Sequence, residues 1–425
     1  MRFPAAFDAL RNRDYRLLWL GAVASLTSAQ MRQLANGYLA YELTGSAAVL
    51  GAVILGQSMP SFVLSMFGGV IADRVKRRPL LLLTQSSIFL DSVLMAVLVV
   101  TGQVEIWHIA VLSVWHGSVL AFNQPSRQAY MVELAGNQNV TQAIALYSSG
   151  QTAVRIIAPL FAAGLIGLVG IEGAFVAIAI VYALPVVSLF FIRARPEARL
   201  RPRRAIITEF KDGISYIKNH PALRILVIVG LVPPLLGNHY QQFLAVFASA
   251  EVLDVGPTGL SIMATFNGIG AFIGAMAVAG FGDMRRRGLV QLSSGALFGL
   301  AMIGFGAAGW FPLALLALVG VGFGFALFQT LNSTLTLSVS DPEYSGRVSA
   351  VQQLNNSMAS FVIVPIGLLV DAFGAPSIVM VSGLLIFVFW CFIGLFVRGY
   401  REIEMPVRGK TGPPRAEAPT PASGA

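Results

Sequence analysis

The chain has 425 residues, of which 56% are hydrophobic and only 12% are charged. A soluble protein of this length needs far more charge to cover its surface, so the composition excludes an ordinary soluble domain. The net charge of +9 does not indicate a nucleic-acid partner, because the basic residues lie between long apolar segments. The single cysteine, Cys391, excludes a disulfide framework and a multi-cysteine metal site, and no cofactor is expected.

The apolar segments recur along nearly the whole chain at lengths that suit a membrane. A helix needs roughly 20 apolar residues to cross a hydrocarbon core ~30 Å thick. The first six segments span 17–41, 47–72, 80–101, 106–128, 141–169 and 173–192. The second six span 224–249, 258–281, 289–308, 312–338, 346–372 and 376–397. The sequence therefore predicts an all-α membrane protein with twelve transmembrane helices in two pseudo-symmetric halves.

Lysine and arginine divide the connections into two classes. All of the 29 basic residues except Arg32 and Arg155 fall on one side of the predicted spans. The connections on the other side contain none; they lie near 42–46, 102–105, 170–172, 250–257, 309–311 and 373–375. Because basic residues accumulate in cytoplasmic loops, both termini are predicted to be cytoplasmic, in the inner membrane of a bacterium.

The spacing of the spans divides the chain into four parts. Residues 1–192 and 224–398 are the predicted six-helix halves, and residues 399–425 form a Pro- and Ala-rich tail that is predicted to be disordered. Residues 193–223 are a basic cytoplasmic linker that contains a short amphipathic helix. On that helix, Phe210, Ile214 and Ile217 are expected to face the membrane surface and its lipids.

A basic turn follows the second span and returns in a weaker form in the second half. It resembles the signature loop of the major facilitator superfamily, approximately Gly-x-x-x-Asp-Arg-x-Gly-Arg-Arg, with Lys76 in place of the second glycine. The matching positions are Gly69, Asp73, Arg74, Arg77 and Arg78, and in the second copy Asp283 and Arg286. The resemblance implies the two-half fold of secondary transporters, with this loop as a conformational latch between the halves.

Other passages are similar to the branch of that superfamily that contains enterobactin exporters and macrolide efflux proteins. They are Phe7–Gly21, Glu42–Ser46 and Gln124–Ala129. The resemblance implies export of a small molecule, with protons as the coupling ion. The antiporter motif of the fifth helix is degraded, and only Pro159 matches it clearly, so the sequence itself supports proton antiport weakly.

Polar residues inside the spans are the candidate site residues, because ionisable groups are costly at membrane depth and are usually functional there. The candidates for the substrate path are Arg32, Arg155, Asn238, His239, Gln241, Gln329 and Asn355. Asp91 and His239 are candidates for proton coupling. Asp91 lies on the third span, which the family resemblance places at the periphery, so it either carries a proton or pairs with a cation on a neighbouring helix.

The charge balance of the expected cavity helices points to a substrate class. These helices carry two buried arginines and no acidic residue near mid-span, which suits a neutral or anionic amphiphile such as a siderophore-like molecule. Together with this charge balance, the family resemblance implies a monomeric alternating-access exporter that uses proton antiport. An importer or uniporter of a polar solute in the same fold remains an alternative, and an integral membrane enzyme is a more distant one.

Overall fold

A computed structural model describes residues 10–136, 140–193, 206–249, 251–280, 287–341, 344, 348, 351 and 359–396. Some side chains inside these ranges, including those of residues 66–74 and of Arg155, lie outside the described part. The first half contains α1 (Arg13–Thr44), α2 (Ala47–Arg74), α3 (Arg77–Val100), α4 (Ile106–Ala135) and α5 (Val140–Phe191). The remaining helices are α6 (Ile206–Asn219), α7 (Pro221–Leu236), α8 (His239–Gln242), α9 (Leu244–Ala248), α10 (Gly256–Gly280), α11 (Arg287–Gly306), α12 (Phe311–Val339), α13 (Ile363–Phe373) and α14 (Ala375–Phe396).

Nine helical segments of the described part are long and apolar enough to cross a membrane. The other three predicted spans are α1, the first part of α5 and the span that ends in α13. α5 changes direction at Gly170, whose φ of 74° is a left-handed conformation that glycine adopts without strain. The seventh span is divided into α7, α8 and α9, and Pro233 and Pro234 lie at the end of α7. The all-α membrane architecture predicted from the sequence is confirmed, and the helices of the described part are consistent with the predicted twelve spans.

Helix ends are fixed by local chemistry. Asn12 precedes α1, and its side chain accepts hydrogen bonds from the backbone N–H groups of Asp14 and Tyr15. Gly45 ends α1 with a φ of 63°, and α2 begins two residues later. α4 ends at Ala135, beyond the predicted end at 128, so Arg127 lies inside the helix and not at its end.

Two helix pairs make the most extensive contacts between the halves. α2 packs against α13, and α5 packs against α10. Within the halves, α2 packs against α4 and α10 packs against α12. In lipid the hydrophobic effect does not drive helices together, so helix association depends largely on van der Waals packing where small residues let the backbones approach closely. Gly117 of α4 illustrates this, because a Cβ atom there would overlap the backbone of Gln57 on α2.

The substitution Gly117→Ala is expected to lower the stability of the folded chain by about 1–3 kcal/mol, because the new methyl group forces α4 away from α2. The measurement is the thermal unfolding midpoint of the detergent-purified protein. Gly164→Ala is the matched control, since a Cβ at that helical position meets nothing within 4 Å. Equal midpoints for the two variants would contradict this packing.

The linker helix α6 docks onto protein and does not lie free on the membrane surface. Ile217 is buried in a small cluster with Leu223, Val227, Val348 and Val351. The ring of Tyr216 stacks on Tyr344 at 4.2 Å, and its hydroxyl donates a 3.0 Å hydrogen bond to Asp341. The expectation that Ile214 and Ile217 face lipid is therefore wrong, since both pack against the second half. The side chain of Phe210 and the tail 399–425 lie outside the described residues.

Candidate functional site

A cavity of about 420 Å³ lies between the two halves. Its walls come from α1, α2, α4 and α5 of the first half and from α7 to α10 and α12 of the second. Amide side chains dominate the polar part of the wall: Gln30, Gln33, Asn36, Gln57, Asn238, Gln241, Gln242, Asn267 and Gln329. The apolar part includes Leu50, Val53, Ile54, Leu260 and Phe325. The cavity is therefore amphipathic, with neutral donors and acceptors on both halves.

The amides of the wall are partly engaged and partly available. Gln33 of α1 donates a 3.0 Å hydrogen bond to Gln242 of α8, which links the two halves across the cavity. Asn267 donates a 2.8 Å bond to the hydroxyl of Tyr240. The Oδ1 atom of Asn36 is buried and accepts no hydrogen bond from any described residue. Such an orphan acceptor on a cavity wall is suited to a donor group of a ligand or to a water molecule.

A compact ionic cluster stands at one edge of the cavity. Arg32 donates from Nη1 to Oδ2 of Asp91 and from Nη2 to Oδ1 at 3.3 Å, so guanidinium and carboxylate meet fork to fork. The Nδ1 atom of His116 lies 3.0 Å from Nη1 of Arg32 and 3.2 Å from Oδ2 of Asp91. Arg32 and His116 line the cavity, whereas Asp91 lies behind them on α3 and is 3% exposed.

The position of Asp91 corrects the charge argument made from the sequence. The cavity helices carry no acidic residue near mid-span among the described lining residues, but Asp91 reaches Arg32 from the neighbouring helix α3, so the charge of Arg32 is balanced from outside those helices. The sequence leaves two roles open for Asp91, proton carriage or pairing with a cation, and in the structure it is paired with Arg32. An ion pair on the wall presents no net charge, so the wall is neutral at this point.

The other substrate-path candidates have different positions. Asn238, Gln241 and Gln329 line the cavity with Arg32. His239 does not; it is buried, and its Nε2 lies 3.3 Å from Oγ of Ser382 on α14, so its expected place in the path is wrong for this conformation. The side chains of Arg155 and Asn355 lie outside the described residues.

The latch residues are only partly within the described structure. Arg77 forms an ion pair with Glu133 of α4. Arg78 donates to the backbone carbonyls of Leu189 and Phe190 at 3.2 and 3.1 Å, at the end of α5. These bonds lie within the first half and join the start of α3 to the ends of α4 and α5. The structure does not describe the remaining latch candidates or their side chains: Gly69, Asp73, Arg74, Asp283 and Arg286.

A set of contacts between the halves closes the side whose connections carry no lysine or arginine. Asp371 of α13 accepts hydrogen bonds from Oγ of Ser46 at 2.6 Å and from the backbone N–H groups of Ala47 and Ala48 at 2.6 and 3.1 Å. A residue of one half thus caps the first turn of α2 in the other half. Nearby, the hydroxyl of Tyr41 donates to Glu251 at 3.2 Å.

The sequence reasoning missed a second buried polar cluster in the first half. Arg127 is 3% exposed and donates to Asn123, which in turn donates to Thr84 at 2.8 Å. Its Nε and Nη1 atoms have no hydrogen-bond partner among the described residues. The sequence places Arg127 among the cations outside the spans, because it predicts that the fourth span ends at 128. The signal that could have found it is the polar run Asn123–Arg127 inside an otherwise apolar helix.

Comparisons with known proteins agree with this arrangement. The model of the Major Facilitator Superfamily matches residues 18–364. The chain belongs to that superfamily. It is 24% identical over 369 residues to macrolide efflux protein A of Streptococcus pyogenes, covering 85% of this chain and 89% of that protein. It is 22% identical over 353 residues to the enterobactin exporter EntS of Shigella boydii, covering 80% and 81%.

Solved structures of the superfamily share the fold. A bacterial homologue of the human lysosomal transporter Spinster, described as inward-facing and unoccupied, aligns with a TM-score of 0.69 at 15% identity. The alignment covers 92% of this chain and 96% of that one. The chain is thus a multi-pass membrane transporter of the superfamily and not an enzyme, and efflux proteins are among its relatives.

Proposed function

We propose that this transporter exports a neutral, amphiphilic small molecule rich in hydrogen-bonding groups, by alternating access. The observation that carries the proposal is the wall of the cavity, which combines nine amide side chains with apolar residues and one neutralised ion pair. No carboxylate is among the described residues that line it, which disfavours a lipophilic cation. The similarity to a macrolide efflux protein and to an enterobactin exporter supports export as the direction of transport.

The proposed driving force is proton antiport, with the cluster of Arg32, Asp91 and His116 as the coupling group. A titratable acid next to the substrate wall is what such coupling requires, and Asp91 is within hydrogen-bond distance of two residues that line the cavity. A ligand that occupies the cavity only while Asp91 is ionised competes with the proton, as antiport demands. The protein would act as a monomer in the bacterial inner membrane, with both termini cytoplasmic.

The alternating-access model assigns a role to each end of the protein. The contacts of Asp371 and Glu251 hold the outer end shut, and the turn that contains Asp73 is the proposed latch of the cytoplasmic end. Uptake or facilitated diffusion of a polar solute through the same cavity is the second candidate, because an amide-lined wall also suits a polyhydroxylated solute.

A growth assay tests the proposed export. An efflux-deficient bacterial host that expresses the wild type should show a raised inhibitory concentration of erythromycin or a raised release of enterobactin. Gln241→Ala and Gln329→Ala should each reduce that effect several-fold, because each removes one hydrogen bond of ~1 kcal/mol from the cavity wall.

Gln103→Ala is the matched control, since Gln103 is an exposed glutamine in a loop away from the cavity. Membrane levels of all variants should be compared by immunoblot. Well-expressed wild type that changes neither resistance nor enterobactin release would contradict export of these compounds and direct the work to uptake assays.

A further inference from the structure

The guanidinium of Arg32 stands between a buried carboxylate and the cavity. Both of its Nη atoms are used by Asp91, and Nη1 also lies 3.0 Å from Nδ1 of His116. A guanidinium has five N–H donors and keeps its charge at every physiological pH. Since Arg32 lines the cavity and Asp91 does not, a ligand in the cavity can reach Arg32 and leave Asp91 behind the wall.

The groups that face Asp91 come from three helices. They are Arg32 from α1, His116 from α4 and Tyr182 from α5, whose ring lies 6.3 Å from the ring of His116. Tyr182 is fully buried, and its hydroxyl has no hydrogen-bond partner among the described residues. Of these groups only Arg32 carries a permanent charge, so it is the counter-ion that keeps Asp91 ionised.

We propose that Arg32 is shared between Asp91 and an anionic group of a cavity ligand, so that the anion and a proton bind together. In the empty state the charges of Arg32 and Asp91 cancel. When an anion takes the N–H donors of Arg32, Asp91 loses its counter-ion in a buried position, and a proton on its carboxylate oxygen removes that charge. The cluster with its ligand is then again neutral, with one anion and one proton added.

The sign of the coupling follows from this exchange. Linkage is reciprocal, so an anion that promotes protonation of Asp91 is itself bound more tightly when the proton is present. In a carrier that moves one cavity across the membrane, two ligands that bind together travel in the same direction. This inference rests on the proposed alternating-access function, and it assigns anionic ligands to proton cotransport while neutral ligands remain substrates for antiport.

The binding test uses an anion whose own charge does not change with pH. Full-length protein in lipid nanodiscs is titrated with 1-naphthalenesulfonate, and with uncharged 1-naphthalenesulfonamide as the matched control, at pH 5.5 and 7.5. The sulfonate is expected to bind roughly 5–100-fold more tightly at pH 5.5, because uptake of one proton changes the affinity by at most about tenfold per pH unit. The affinity of the sulfonamide should not rise at pH 5.5, because a neutral ligand of the proposed antiport competes with the proton.

Two variants locate the effect. Asp91→Asn should bind the sulfonate with one affinity at both pH values, because Arg32 no longer has an ionisable partner. Arg32→Gln combined with Asp91→Asn should bind it at neither. Wild-type affinity for the sulfonate that is independent of pH, or higher at pH 7.5, would overturn the proposal without reference to any variant.

A flux measurement separates this inference from the proposed export. In proteoliposomes that contain a pH-sensitive dye, an inward gradient of the sulfonate should acidify the lumen, and alkalinisation would overturn the proposal. Failure of the erythromycin and enterobactin assays together with acidification would remove the proposed substrates and leave the cotransport intact. Export of erythromycin together with pH-independent sulfonate binding would support the proposed export and overturn the proton cotransport of anions.

Discussion

Asp91→Asn should destabilise the folded protein by about 3–5 kcal/mol and abolish proton-driven transport, whereas the double substitution Arg32→Gln with Asp91→Asn should regain most of the lost stability. The single substitution leaves the guanidinium of Arg32, which is 5% exposed, without a counter-ion. An unpaired buried charge is strongly destabilising, and removing both charges together avoids that cost. Thermal unfolding of the purified protein measures the stability, and pH-jump transport in proteoliposomes measures the coupling.

A double-mutant cycle measures the interaction energy between Arg32 and Asp91. It compares the stabilities of the wild type, Arg32→Gln, Asp91→Asn and the double variant. The interaction energy should exceed ~1 kcal/mol because the two side chains are in direct contact. His116→Gln keeps a hydrogen-bonding side chain and should change stability less than either single charge removal. Additive effects of the two charge removals would show that the pair is not coupled.

Asp371→Ala should open the outer end of the protein. The carboxylate accepts three hydrogen bonds from the start of α2, two of them from backbone N–H groups at 2.6 and 3.1 Å. Bonds to charged groups contribute roughly 1.5–3 kcal/mol each, so losing even a net ~3 kcal/mol changes the ratio of closed to open outer ends by about 100-fold. Export should fall accordingly, because the open state no longer returns readily to the closed one.

Spin labels measure this opening directly. Cys391→Ser removes the single native cysteine, after which Thr44→Cys and the exposed Phe373→Cys place labels on the two sides of the contact between Asp371 and the start of α2, here called the gate. Gly367→Val should open the same gate by steric overlap, since a Cβ there would lie 2.6 Å from the carbonyl oxygen of Ala47. Gly394→Val is its control, because a Cβ at Gly394 meets nothing within 4 Å. Label distances that do not change with Asp371→Ala would refute the gate.

The agreement between predicted and observed spans has a simple physical cause. A segment of about 20 apolar residues can satisfy its backbone in lipid only as a helix, so hydropathy fixes the segment with little help from tertiary contacts. The predicted spans 80–101 and 376–397 accordingly correspond to Arg77–Val100 and Ala375–Phe396. The spans were least accurate where polar residues continue inside the bundle, as at the end of α4, because hydropathy cannot separate a buried polar turn from a loop.

The candidate site was predicted less completely than the spans. Arg32, Asn238, Gln241 and Gln329 were selected because they are polar at membrane depth, and they line the cavity. His239 was selected by the same rule, yet it faces Ser382. Adjacent residues of a helix point in different directions, and the break of the seventh span at Pro233 and Pro234 changes that direction further, so depth alone could not decide which of them faces the cavity.

The sequence by itself determined the all-α membrane class, because that depends on composition and local pattern, and the signature loop that resembles the superfamily indicated the family. Tertiary structure decided the partners: Asp91 against Arg32 across 59 residues of sequence, and Asp371 against the start of α2 across 324. Such pairings depend on which helices become neighbours and how each is rotated about its axis. Close packing at glycine residues and the cost of burying an unpaired charge decide which helices are neighbours and how each is rotated. Both depend on contacts between helices, so the residue order of a single helix does not reveal them.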